Sequence, residues 1–253
     1  MGSKYAVIIV VAGLFLTVLF SGCTSSDIVT EDFKGEYNTN YNTTLTVENS
    51  NGDVKITTYD GNTVKLDAEK RISEKHRDEL DKTDINVTEE DNEIIIETVY
   101  TEPAVNRVTV NMEIMVPDYV NVEAVHSSNG DITIGNVKGY PTVSSSNGDV
   151  EVRGTTGISD VSSSNGDVTV EIFSLKEGVN ISSSNGDIVA HILPTINVTI
   201  HMETSLGRAL VSGLDLVRTL DEDDHITGTM NGGGHEVNIS SSNGDVELKK
   251  LTA

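Results

Sequence analysis

Apolar residues recur along this chain in one short pattern. Counted from an asparagine as position zero, Val or Ile stands four places before it and three places after it. A further aliphatic residue stands five after. Val143, Val150 and Val152 set around Asn147 show the arrangement, and Asn51, Asn129, Asn165, Asn185 and Asn243 repeat it. Alternation of β-branched and polar residues in each arm is the period-two signature of strands with one buried face. The phrase between the arms is Ser-Asn-Gly-Asp in all six copies, and the three central intervals are 18, 18 and 20 residues. A fixed period near 20 means one unit stacked on copies of itself, each burying its apolar face against its neighbours. The pattern therefore predicts an all-β fold: a single-chain parallel β-solenoid (β-helix) of six to seven coils, with an N-terminal cap containing one short helix.

The turn residues are Asn129-Gly130, Asn147-Gly148, Asn165-Gly166, Asn185-Gly186 and Asn243-Gly244. Asn-Gly is the strongest short turn signal, because both residues tolerate positive φ. A hairpin is one reading. The close repeat favours a bend between two strands of one coil, with equivalent residues stacked from coil to coil. Two places before each asparagine stands Ser127, Ser145, Ser163, Ser183 or Ser241, with Asn49 in the first copy. By parity this residue points inward at the corner, where a small hydroxyl can hydrogen-bond along the stack. An eroded seventh copy follows at Ile200, Met202, Thr204, Leu206-Gly207-Arg208, Ala209 and Val211. Residues 213–236, with the acidic run Asp221–Asp224 and three consecutive glycines, read as an irregular loop.

The start of the chain departs from the repeat. Tyr5–Phe20 is almost wholly apolar, with Lys4 before it and Ser21-Gly22-Cys23 after it. A positive start, an apolar core and small residues before a lone Cys describe a lipoprotein signal. Residues 1–22 are then the signal peptide, Cys23 the lipid attachment site and residues 23–42 a tether. The competing reading is a retained membrane helix. Both place the remainder, a 43–253 domain, outside the cytoplasm and on a membrane. Within it, residues 67–117 read as a cap-like insertion. Ile72, His76 and Leu80 share one face of a short amphipathic helix, and strand candidates follow at 84–88, 93–99 and 107–116.

Formal charge is −23, with 40 acidic and 17 basic residues. That argues against nucleic acid as a partner. Aromatics make up 4% of the chain and tryptophan is absent, which gives little support to a broad sugar-binding face. A single cysteine allows no internal disulfide. Sequons at Asn42, Asn86, Asn180, Asn197 and Asn238 are about as many as composition alone would produce, though Asn180 and Asn238 hold matching places in their coils.

An early coil ends in the first Asn-Gly-Asp, and a charged helix and two strands follow. Val110–Val116 then leads into Pro117, and serial Ser-Ser-Asn-Gly-Asp coils follow it. Gly232-Gly233-Gly234 precedes the last. Over residues 43–250 this resembles the family of bacterial and archaeal surface domains provisionally named adhesins, a domain of unknown function. The resemblance implies a β-solenoid without known catalytic residues.

The candidate chemistry lies in the aspartates two places after each asparagine, above all Asp131, Asp149, Asp167 and Asp187. Stacked in parallel they would lie about 4.8 Å apart, where two unit charges repel by roughly 1 kcal/mol in water. A bound divalent cation such as Ca²⁺ is one relief; hydrogen bonds from turn N–H groups with continued solvation are the other. Polysaccharide-cleaving β-helices use clustered carboxylates, but acid–base work needs carboxylates in unlike environments, and these are near-identical copies. The six histidines show no metal spacing. His225, beside Asp223-Asp224 and ten residues before His235, is their one candidate grouping. The sequence therefore predicts no enzyme and no resident cofactor. It predicts a surface lipoprotein presenting a rigid acidic repeat to an envelope polymer or surface protein, with self-assembly open. The alternatives are an envelope-stress or signalling accessory with one membrane-protein partner, and a Ca²⁺-binding surface repeat.

Overall fold

A computed structural model describes residues 27–101 and 108–252. The signal segment and Cys23 lie outside them. Strands follow the chain as β1 (Ile28–Asn38), β2 (Thr44–Asn49), β3 (Val54–Tyr59) and β4 (Thr63–Ser73). A 3-10 helix (Glu74–Lys82) comes next, then β5 (Thr83–Glu90), β6 (Glu93–Tyr100) and β7 (Thr109–Pro117). The regular array is β8 (Asn121–Asn129), β9 (Ile132–Gly135), β10 (Lys138–Asn147), β11 (Val150–Arg153), β12 (Val161–Asn165), β13 (Val168–Ile172), β14 (Val179–Asn185) and β15 (Ile188–Ile192). The last part holds β16 (Val198–Leu206), β17 (Ala209–Ser212), β18 (Val217–Asp221), β19 (His225–Met230), β20 (His235–Asn243) and β21 (Val246–Lys250).

Two sheets of mixed orientation share one core. The first runs β1-β4-β7-β3-β9-β11-β13-β15-β21-β17, and the second β18-β19-β16-β20-β14-β12-β10-β8-β2-β6-β5. The period-two pattern explains why. Val143, Val150, Val152, Val161, Val168 and Val170 are 0–1% exposed and meet between the sheets, while the alternate residues face out. Equivalent residues pair in register: Val143 with Val161, Val161 with Ile181 and Ile181 with Ile239. Each chain copy thus places one strand in each sheet, with Asn-Gly-Asp at the corner between them. A branched side chain stacked on its own kind in this way leaves little void, which is how a chain with few aromatics fills a core.

Several expectations are corrected. The fold is all-β, as expected, but the sheets are not a wholly parallel solenoid of six to seven coils. The parallel part of each sheet runs through eight strands, one more than seven coils would supply, because β6 and β7 stack on β2 and β3 without an Asn-Gly-Asp phrase. Antiparallel strands close the ends: β4 and β1 beyond β7, β5 beyond β6, and β19 and β18 beyond β16. Chain order and stacking order also differ, since β20 lies between β14 and β16, and β21 between β15 and β17.

Residues 28–38, expected to be a tether, form β1. Phe33 packs on the core and Tyr37 is buried. Burial, with Glu89 nearby, pushes the Tyr37 hydroxyl up to about 12. Residues 213–236, expected to be an irregular loop, hold β18 and β19, where Ile226 and Met230 enter the core. The expected amphipathic helix is a 3-10 helix with Leu80 buried, while Ile72 belongs to β4. Lys70, 6% exposed, ties this end together. Its Nζ donates to the carbonyl of Thr83 (2.9 Å) and pairs with Glu31 (2.7 Å), so the buried charge is both paired and hydrogen-bonded.

Candidate functional site

The Asn-Gly-Asp corners stack into a straight edge that carries three hydrogen-bonded ladders. The outermost is the aspartate row. The backbone N–H of Asp149 donates to Oδ1 of Asp131 (2.8 Å), that of Asp167 to Asp149 (2.8 Å) and that of Asp187 to Asp167 (2.8 Å). The row extends both ways, from Asp131 onto Asp53 (3.0 Å) and from Asp245 onto Asp187 (2.7 Å). Its two ends are not aspartates. The N–H of Asp53 donates to Oδ1 of Asn111 (3.1 Å). At the other end the N–H of Arg208 donates to Oδ1 of Asp245 (2.8 Å), and its guanidinium lies 3.4 Å from Oδ2. One oxygen of each aspartate is therefore occupied by the next strand pair's amide, not by its own turn.

Asparagine amides form the second ladder. Nδ2 donates to Oδ1 of the preceding copy from Asn147 to Asn129, Asn165 to Asn147, Asn185 to Asn165 and Asn243 to Asn185, at 2.9–3.0 Å. The next place is Leu206, 71% exposed, where the ladder stops. The Asn-Gly corner is a bend between two strands of one copy, as expected, but none of these asparagines has positive φ, so that part of the expectation is corrected. The amide, and not left-handed backbone, is what the position uses. Glycine supplies the freedom instead: Gly148 has φ +156°, and a methyl group there would fall closer than 3.0 Å to the Gly130 carbonyl. Backbone stacks directly on backbone at this point.

The third ladder is the inward one. Oγ of Ser145, Ser163, Ser183 and Ser241 donates to the carbonyl of Gly130, Gly148, Gly166 and Gly186 at 2.9–3.1 Å. Thr204 does the same to Gly244 (2.8 Å). These side chains are 4–6% exposed, so the expected corner hydroxyls are buried and satisfied.

Asp131, Asp149, Asp167 and Asp187 are brought together as expected. Among the described residues, however, no group of three or more His, Cys, Asp or Glu side chains is gathered for a metal. His225 and His235 are not brought together. They pair with Glu203 and Val198, about 16 Å apart along β16. His225 instead shares the Thr227 hydroxyl with His201, at 3.4 and 3.5 Å. Asn180 and Asn238 stack, Nδ2 of Asn238 donating to Oδ1 of Asn180 (3.1 Å).

Asn111, inside β7, was missed as a member of the aspartate row; its only signal is the alternation Met112-Glu113-Ile114 that follows it, without Asn-Gly-Asp to mark the corner. Arg208 stands at the aspartate's place in the eroded copy, but its part in the row was not read from Leu206-Gly207-Arg208.

Outward from the corner, Ser144, Ser162, Ser182 and Ser240 pair one strand to the next across the second sheet. His126 and Glu203 continue that row at its two sides. A polar recess of about 220 Å³ opens where Ser240 gives way to Glu203. The opposite sheet carries alternating charges, with Arg153 paired to Glu151 and Glu171, and Lys249 to Glu247. His191 sits among them. Burial, then the cations of Arg153 and Lys249, hold its imidazole below the usual value.

Three comparisons bear on this arrangement. The family model described as Toastrack DUF4097 matches residues 38–249. No curated protein matches the chain. A solved Clostridium sporogenes structure, titled provisionally as a cell adhesion protein, is 16% identical with a TM-score of 0.50, covering 87% of this chain and 100% of its own. A Bacteroides fragilis structure provisionally titled an adhesin is 14% identical, with a TM-score of 0.33, and covers 90% and 98%. A Parabacteroides distasonis structure provisionally titled a lipid-binding protein is 12% identical, with a TM-score of 0.29, and covers 89% and 97%. At 16% identity the likeness to the Clostridium sporogenes structure concerns fold alone.

Proposed function

The chain belongs to the Toastrack DUF4097 family, and from that premise we propose that it is a non-catalytic module of the cell exterior. It would be held to the membrane through Cys23 and attach by its flat, repeated polar face to an envelope polymer or a neighbouring surface protein. One observation carries this reading. The aspartates, the strongest candidate for chemistry, are committed to the fold: Oδ1 of Asp131, Asp149 and Asp167 each accepts the next strand pair's N–H. Six near-identical carboxylates in one hydrogen-bonded setting offer no separation of acid from base. What remains outward is an ordered surface, with hydroxyls repeating about every 4.8 Å across the strands. A rigid periodic face suits a periodic partner. The adhesion title of the Clostridium sporogenes structure is consistent with the proposal. Among the described residues no helix is long and apolar enough to cross a membrane, so the attachment would rest on the N-terminal segment.

The test uses the full chain on intact cells that express it. Antibody should label the cells without permeabilisation, and beads coated with the protein should retain isolated envelope. Placing Ser162→Arg and Ser182→Arg on the flat face should abolish retention while leaving melting unchanged. Label seen only after permeabilisation, or retention indifferent to both substitutions, would overturn the proposal. Recovery of one stoichiometric membrane protein from solubilised envelope would replace it with a signalling role.

A further inference from the structure

The chain contains seven Asn-Gly pairs, six at the corners and one at Asn231-Gly232. Asn-Gly is chemically fragile. The glycine nitrogen can attack the asparagine Cγ, expelling ammonia and closing a succinimide. Water then opens that ring at either carbonyl, giving aspartate or isoaspartate. The reaction needs the glycine N–H to lose its proton and turn toward Cγ, and the amide to leave.

At the corners both groups are held. The N–H of Gly130, Gly148, Gly166 and Gly186 donates to the carbonyl of the next asparagine in the stack at 2.8–3.0 Å, and Gly244 donates to Leu206 (3.0 Å). Gly52 donates to Asn129 (2.6 Å). The asparagine amides are drawn along the stack by their own ladder, Asn51 donating to the Val108 carbonyl (3.1 Å). Cyclisation there requires two strand pairs to part. Asn129, Asn147, Asn165, Asn185 and Asn243 are exposed to solvent and Asn51 is half-buried, so for those five hydrogen bonding protects them and burial does not.

Asn231-Gly232 sits in the turn joining β19 to β20, where both residues have positive φ, 51° and 87°. Among the described residues the Gly232 N–H makes no hydrogen bond, and a methyl built on Gly232 would meet nothing within 4 Å. The Asn231 amide donates to the carbonyls of Pro194 (3.0 Å) and Ile196 (2.8 Å), so reaction waits only on opening of this one turn. Local opening of an exposed turn costs far less than parting a packed ladder.

We propose that Asn231 is a site of spontaneous deamidation in the folded protein, and that stacking protects the six corner asparagines from the same reaction. Conversion removes two donors and sets a carboxylate against two carbonyls, which frees the turn at 193–197 from the β19–β20 turn.

The full chain would be incubated, folded and in concentrated urea, in the same mildly alkaline buffer. It would then be digested at acid pH and mapped by peptide mass spectrometry, with enzymatic methylation to detect isoaspartate. In urea all seven asparagines should convert at similar rates. In the folded protein Asn231 should convert at least about tenfold faster than any corner asparagine. An Asn231→Gln chain should show no fast site. Corner asparagines converting as fast when folded as in urea, or Asn231 no faster than they are, would overturn the inference.

Discussion

The backbone N–H of Asp149 reaches Oδ1 of Asp131 across 2.8 Å, so a carboxylate in one strand pair is answered by an amide in the next. The same bond repeats along the corner from Asn111 to Arg208. Each negative charge receives a backbone dipole, and the row ends on a neutral amide at one side and a cation at the other. A charged-assisted bond of this kind is stronger than a neutral one, which offsets the repulsion between neighbours.

Removing the acceptor should cost more than removing the charge. Asp149→Ala leaves the Asp167 N–H without its partner and should destabilise by about 1–2 kcal/mol. Asp149→Asn keeps an acceptor, as Asn111 does naturally, and should lie within about 0.5 kcal/mol of the parent. Urea denaturation of both variants decides it. Equal losses would show that the charge, not the acceptor, matters.

Gly148→Ala places a methyl group against the Gly130 carbonyl. The strand pairs cannot separate there without breaking three ladders, so a loss of at least about 3 kcal/mol is expected. Gly135→Ala, where a methyl would meet nothing within 4 Å, is the control and should fall within about 1 kcal/mol of the parent. Thermal melts of the two variants give the comparison.

Position along the amide ladder should be measurable. Asn165 both donates to Asn147 and accepts from Asn185. Asn243 donates to Asn185 but is followed by Leu206. Asn165→Leu should therefore cost about 1 kcal/mol more than Asn243→Leu, read from the urea midpoints of the two variants.

His191 gives the stack a sensitivity to mild acid. Its imidazole is held below the ordinary histidine value of 6.5 by burial and by Arg153 and Lys249, against the smaller pull of Glu171 and Glu247. The unfolded chain therefore binds this proton more readily. The stabilising contribution is complete above 6.5 and is lost as pH falls from 6.5 toward the lower folded-state value. His191→Asn should flatten that part of the stability profile, measured as urea midpoint between about pH 8 and about pH 5. A variant as acid-sensitive as the parent over that range would exclude His191 as the cause.

Calcium should find few free ligands at the corner, since one oxygen of each aspartate is already occupied. Millimolar Ca²⁺ should shift the melting temperature no more than Mg²⁺ at equal ionic strength. A shift specific to Ca²⁺ and lost in Asp149→Asn would establish the aspartate row as a cation site.

The interior was legible because it depends on a local rule: Val143, Val150 and Val152 alternate, and so do their copies. The ends were not. The order of β14, β20 and β16 was not read from the repeat, because apolar alternation alone fits either order; the one local clue is the Leu206-Gly207-Arg208 corner, which can end the asparagine and aspartate ladders but not continue them. β1 was hidden by its composition, since Ile28, Thr30 and Asp32 face outward and dilute the apolar signal of Phe33 and Tyr37. The aspartates were found by repetition, but their partner was not, since a donor on the next strand pair is invisible until stacking is known. The serine corner was foreseen because parity alone turns it inward.

The wedge of β20 and β21 between older neighbours sets an order of events. As the chain emerges from its N-terminus, residues 198–212 exist before the strands that will separate them from β14 and β15. Each side of that gap offers unpaired backbone until residues 235–250 arrive. The strand pair β20–β21 is thus a keystone: β14 and β15 already rest on β12 and β13, but β16 to β19 can join the stack only once residues 235–250 are in place.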